Sequence, residues 1–163
     1  MIALHVVICF VALLAGALVL IALRKGEHES IRATVLLVGT VLISLTGFAL
    51  PSPPGTPTPD PARIVGVLEL LIVAIAAFAL YLKHLSGAWR AAYIVTIVLA
   101  VYLNAFVAVT QAFLKIGFLH AFAPTGKEPP FLIAQLLTLA LFVLIGVMAF
   151  RPLPGRTLLR AAR

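Results

Sequence analysis

Between Tyr102 and Lys115 the chain sets two amides and a cation into a run that is otherwise apolar. At roughly 100° per residue, Asn104, Gln111 and Lys115 fall on one narrow stripe of a helix, which Ala100 and Tyr93 extend backwards. Tyr102, Phe106 and Phe113 fall on the opposite side. Amides both donate and accept hydrogen bonds, and an ammonium pairs with a carboxylate or holds an anion. The pattern predicts a polar stripe turned towards protein and an aromatic side turned towards lipid. Two further residues belong with this set: Glu69, the one acid inside an apolar run, and Gln135 in the last apolar run. If the apolar runs cross a membrane alternately, Glu69, Gln111 and Gln135 reach comparable depths on three helices. Asn104 then lies about two turns deeper and Lys115 above. A charge inside a bilayer costs ~2.5–3.5 kcal/mol on insertion scales, so it turns towards a partner or water. The expectation is a Glu69–Lys115 ion pair closing the outer end of a cavity lined by Asn104, Gln111 and Gln135. The plainer alternative is that amides and pair only join helices, at ~0.6 kcal/mol per interhelical bond.

Other chemistry is harder to build. Ser30, Ser44, Ser52 and Ser86 have no adjacent base, the five acids are dispersed, and no phosphate loop is visible,. No catalytic residue is assigned, and an enzyme is the minority reading. The histidines divide evenly on the five-span arrangement, with His5 and His120 on one side and His28 and His84 on the other. Two bis-histidine b haems would use that count and distribution. Three of the four sit in or beside turns, where histidine is ordinarily an interfacial polar residue. No leaflet offers three zinc ligands at short spacing, so no metal and no cofactor is expected; haem b is the alternative.

The elements that must position these groups are helices. With 163 residues, 63% hydrophobic, 10% charged and a mean hydropathy of +1.20, the composition is that of an integral membrane protein,. No polar stretch is long enough for a separate soluble domain. The chain is therefore read as all-α, one domain over 1–163, an antiparallel bundle of five transmembrane helices at about 2–23, 31–50, 62–82, 91–116 and 131–150. Of the twelve Lys and Arg, nine are Arg24, Lys25, Arg32, Lys83, Arg90, Arg151, Arg156, Arg160 and Arg163. All nine lie on one side of that arrangement, which the positive-inside rule makes cytoplasmic. The N-terminus is then outside and the C-terminus inside. Charges scattered at helix ends do not form a nucleic-acid surface; the partners expected are the lipid bilayer and other membrane protein subunits.

The first run lacks a basic leading region and is followed by its positive charges, so it reads as an uncleaved span rather than a signal peptide. On it His5, Cys9, Ala12 and Gly16 share a stripe suited to close packing; Cys9, the single cysteine, behaves there as a small hydrophobe,. Thr40, Ser44 and Gly47 form a similar face on the second run. Pro51 to Pro61 cannot be helix and reads as an extended external loop. The fourth run, continued to Phe122, would be too long for a straight crossing, so a bend is expected at Gly117. Pro129-Pro130 opens the fifth run, where proline is tolerated.

Tyr102 to Lys115, followed by the Ala-Pro-Thr-Gly-Lys-Glu-Pro-Pro-Phe stretch at 123–131 and Gln135, resembles part of a group of small uncharacterised bacterial inner-membrane proteins. About 35 residues carry the likeness, which implies a bacterial inner-membrane location and no activity. More weakly, the first run and the Lys25-Gly26 turn resemble predicted haem-type four-helix membrane proteins with a Lys-Gly-x-x-x-His turn; here His28 arrives two positions early. The function expected is a non-enzymatic accessory subunit, or a binder of a lipid-like or small polar ligand in an outer-leaflet pocket. The alternatives are a b-type transmembrane electron carrier and a small transporter or proton-coupled channel component.

Overall fold

The structure, a computed structural model, describes residues 2–27, 31–52, 55, 58 and 60–150. His28, most of the proline-rich stretch and the basic tail from Arg151 lie outside the described residues. The described chain is helical: α1 (Ile2–Arg24), α2 (Ile31–Ala49), α3 (Pro61–Ala77), α4 (Trp89–Lys115), α5 (Gly117–Phe122) and α6 (Pro129–Phe150). Five of these, α3 with its π-helical continuation to Leu82 among them, are long and apolar enough to cross a membrane. Large apolar side chains also cover the exterior, from Phe10 and Leu14 on α1 to Leu136 and Leu137 on α6. A water-soluble surface does not carry so continuous an apolar coat.

Helix α4 is the hub, touching α1, α3 and α6. Its 27 residues give a rod of roughly 40 Å at 1.5 Å per residue,. Tyr93, Ile94, Ile97, Ala100 and Val101 of α4 are buried against Val19 and Leu23 of α1, Leu36 of α2 and Ala76 of α3. Small residues set the spacing. A Cβ on Gly16 would come within 2.8 Å of the Val101 side chain, and one on Gly39 within 3.1 Å of the Ala12 Cβ. Glycine therefore permits the close α1–α4 and α1–α2 approaches that the small-residue stripes predict.

The aromatic side of α4 does not form a lipid face. Phe113 is buried and meets Phe131 edge-on at 5.4 Å between ring centroids; Tyr102 meets Phe142 at 5.8 Å. Helix α6 covers that side, and its own outer face carries the exposed leucines. The amphipathic pattern could not tell lipid from an apolar neighbouring helix, because both accept the same side chains.

Two helix ends depart from the expected course. Helix α3 passes at Phe78 into a π-helical turn (Phe78–Leu82), closed by the Lys83 N–H on the Phe78 carbonyl at 3.0 Å. His84 and Leu85 then take positive φ, and Gly87 does so with ease,. In this turn the Lys83 ammonium lies 5.4 Å from the Phe78 ring centroid and 5.8 Å from that of Trp89. At the other end of α4 the break falls on Ile116, which is extended (φ −91, ψ 110), one residue before the expected bend at Gly117.

Two helix starts have a carboxylate beside them. Asp60 caps α3, accepting from the Ala62 N–H at 2.9 Å, with Pro61 in the first helical position,. Ser52 donates to the same carboxylate and so ties the end of α2 to the start of α3. Before α6, Glu128 accepts from the Thr125 hydroxyl at 2.8 Å and from the N–H groups of Thr125 and Lys127.

Candidate functional site

A cavity of about 480 Å³ lies where the N-terminal end of α1, the C-terminal end of α2, the N-terminal end of α3 and the last third of α4 converge. Its walls are largely apolar, with Ile43, Phe48, Val65, Phe106, Val107 and Leu114 among them. Ser52, Asp60 and Arg63 form its rim, and Ser44 and Glu69 lie deep on α2 and α3. His5 and Gln111 complete the polar set from α1 and α4.

Glu69 is the decisive residue. It is 3% exposed, its Oε2 accepts a long bond (3.4 Å) from the Ser44 hydroxyl, and its buried Oε1 has no hydrogen-bond partner. Buried carboxyl oxygens are ordinarily satisfied, since an unmade hydrogen bond costs about 1–3 kcal/mol. The expected ion pair does not form: among the described residues the salt bridge is that of Arg63 with Asp60 at 3.9 Å. Lys115 is exposed at the end of α4, beyond the cavity lining. Lys115 and Gln111, expected on a stripe turned towards protein, are both exposed.

The amides separate. Gln111 lines the cavity with Glu69. Asn104 is buried deeper, donating to the Thr40 hydroxyl at 3.3 Å and to the Ala100 carbonyl at 3.1 Å, so it joins α4 to α2. Gln135 donates to the Thr110 hydroxyl at 3.0 Å and the Phe106 carbonyl at 3.2 Å, joining α6 to α4. Asn104 and Gln135 thus join helices and do not line the cavity. Of the expected set, the structure brings together Glu69 and Gln111.

His5 enters the site by a route the sequence did not reveal. Its Nδ1 lies 2.7 Å from the Thr46 hydroxyl oxygen. The one Thr46 hydroxyl proton is directed at the Leu42 carbonyl, 2.6 Å away, the usual back-bond of a helical threonine,. The His5–Thr46 bond ties the start of α1 to the end of α2. Ser44 was legible only as a small-residue contact; its proximity to Glu69 depends on the packing of α2 on α3. Gly66 of α3 stands against the Phe48 ring, where a Cβ would approach to 3.0 Å, so Phe48 forms a tight wall.

At the rim, the Ser52 hydroxyl, the Ala62 N–H and the Arg63 charge hold the Asp60 carboxyl below its usual range against the opposing effect of burial. The other histidines lie apart from this arrangement. His120 is exposed on α5, and His84 is exposed in the turn after the π-helical segment. A bis-histidine haem needs two buried imidazoles facing each other; among the described residues His5 is half-buried and His120 and His84 are exposed, and His28 lies outside the described residues. Among the described residues no three His, Cys, Asp or Glu side chains gather as a metal site. Comparison with protein-family models, with curated proteins and with solved structures finds no match.

Proposed function

We propose that the chain is a five-span protein of a bacterial inner membrane that binds a small amphipathic molecule, without chemical conversion, in the cavity at its outward end. One observation carries the reading: an apolar-walled cavity of about 480 Å³ contains a carboxyl group that is almost wholly buried and only half satisfied. Asn104, which joins helices, donates its NH2 group to Thr40 of α2 and to the Ala100 carbonyl of its own helix. Glu69 holds one oxygen in reserve. Intramembrane ionisable groups of this kind are binding or transport sites by default, and concave apolar pockets with few polar groups are the common form of a small-molecule site.

The apolar exterior supports membrane insertion, and the excess of Lys and Arg supports an antiparallel arrangement with the N-terminus outside. The likeness of the 102–135 stretch to small inner-membrane proteins supports the location. Native mass spectrometry of protein released from nanodiscs tests the binding. Wild type should carry a small-molecule or lipid adduct or take up an added amphiphile, and Gly47→Leu, which builds a side chain into the cavity, should not. A wild-type protein that retains and takes up nothing would sink the proposal. For orientation, a Cys9→Ala background carrying a cysteine at Thr56 should react with impermeant maleimide on intact cells, and one at Ser86 should not; the reverse would turn the cavity to the cytoplasm.

A further inference from the structure

The hydrogen-bond inventory of the cavity is unbalanced. Its hydroxyl donors are already committed: Ser44 to Glu69, Ser52 to Asp60, and Thr110 to the Phe106 carbonyl at 2.9 Å. His5 Nδ1 is hydrogen-bonded to the Thr46 hydroxyl. Glu69 Oε1 is buried and has no hydrogen-bond partner among the described residues, and Glu69 lines the cavity. Arg63 and the Gln111 amide place donors at the rim and at the exposed side, so the group that calls for a donor from a ligand is the buried carboxyl,. Two aromatic rings, Phe48 and Phe106, stand in the same wall, and ring faces attract a cation and not an anion,. Glu69 has no cation within ion-pair distance, so a cationic ligand would supply the countercharge the fold withholds,.

Building on the binding reading above, we propose that the cavity selects a primary ammonium carrying a compact apolar group. An N–H donor engages Glu69 Oε1, the charge lies beside the Phe48 and Phe106 rings, and the apolar group fills the wall between α3 and α4. Gln111, which both donates and accepts, stands at the exposed side of the head group. A quaternary ammonium has the charge without the N–H donors and fits less well. A carboxylate of the same size would face Glu69 with like charge.

Calorimetric titration of the protein in nanodiscs, referenced to empty nanodiscs, tests this with four probes of one shape: phenethylamine, phenethyltrimethylammonium, 2-phenylethanol and 3-phenylpropanoate. Phenethylamine should bind at least ~10-fold more tightly than 2-phenylethanol, as expected of a hydrogen bond to a charged group. Glu69→Gln should remove that advantage, with an unchanged helical circular-dichroism spectrum and a cooperative melt in the same nanodiscs showing that the variant is folded. Phe106→Leu should weaken the amine more than the alcohol. Equal binding of amine and alcohol, or an amine preference that survives Glu69→Gln, overturns the ammonium assignment and leaves the cavity reading standing. If none of the four probes binds, both fail.

Discussion

Replacing Glu69 by Met should make the ligand-free protein more stable. The side chains are similar in length and volume, so the substitution keeps the shape of the α2–α3 contact and removes both carboxyl oxygens. What is lost is a single hydrogen bond, stretched to 3.4 Å, from Ser44. At that length it is worth less than the ~0.6 kcal/mol average for interhelical bonds, and the Ser44 hydroxyl can turn back to a carbonyl of its own helix. What is gained is relief of a buried oxygen with no partner, which costs about 1–3 kcal/mol,. The balance favours Met by ~1–2 kcal/mol, which for a chain of this size raises the melting temperature by about 2–8 °C. Unfolding monitored in one detergent, with and without phenethylamine, provides the measurement. Wild type should gain stability from the amine and the variant should not. A Glu69→Met protein less stable than wild type by more than ~1 kcal/mol would show that the carboxyl serves the fold itself, and the site argument would lose its foundation.

Other consequences are separable. Because Lys115 is exposed and makes no ion pair with Glu69, a double-mutant cycle of Glu69→Gln and Lys115→Met should give a coupling below ~0.5 kcal/mol in detergent unfolding; a value above ~1 kcal/mol would restore the pair. Gly16→Ala and Gly146→Ala both gain helix propensity, but the new Cβ would lie 2.8 Å from the Val101 side chain in the first case and 3.6 Å from that of Val98 in the second. The first should therefore be less stable than the second by ~1–3 kcal/mol, the usual cost of overpacking, and equal stability would contradict the α1–α4 packing. At Glu128 burial acts to raise the pKa, but bonds from the Thr125 hydroxyl and neighbouring N–H groups outweigh it and hold the carboxyl at about 2, below its ordinary 4.5. A depressed folded pKa gives stability that is present above pH 4.5 and lost as pH falls towards 2, so Glu128→Gln should flatten the melting profile across that window,. An unchanged profile would place the acid sensitivity elsewhere.

Much of the architecture was legible because lipid and helix geometry leave few options. Runs of about twenty apolar residues, ended by Pro51 or by the Arg24-Lys25-Gly26 turn, mark helices with little ambiguity. The π-helical turn at Phe78–Leu82 has no such signature: Phe-Ala-Leu-Tyr-Leu suits an ordinary helix. The widened turn appears together with tertiary contacts, the Tyr81 hydroxyl meeting that of Thr34 at 2.8 Å and Phe78 packing edge-on against Trp89 at 5.0 Å. The fate of Tyr102 and Phe113 was hidden for a different reason. Hydrophobic periodicity reports that a face avoids water, and inside a membrane that no longer says whether the face meets lipid or protein.

The site was legible to the extent that its signal was a cost. Glu69 stands out because a carboxyl in an apolar run must be explained, and Gln111 because it shares the depth. Asn104 and Gln135 sent the same signal for another reason, since an amide in an apolar helix is equally well explained by a bond to a neighbouring helix. Only geometry separates the cases: Asn104 and Gln135 direct their NH2 groups across helix contacts and lie outside the cavity lining, although Gln135 Oε1 is itself buried without a partner, whereas the unpartnered Glu69 Oε1 belongs to a residue that lines the cavity. His5 escaped notice as part of the site because its position depends on a bond to Thr46, forty-one residues away. The distinction between joining helices and binding a ligand is therefore carried by where unspent hydrogen-bonding capacity lies rather than by residue type. That of Gln135 lies outside the cavity lining, and that of Glu69 belongs to a residue beside the space that α1 to α4 leave between them.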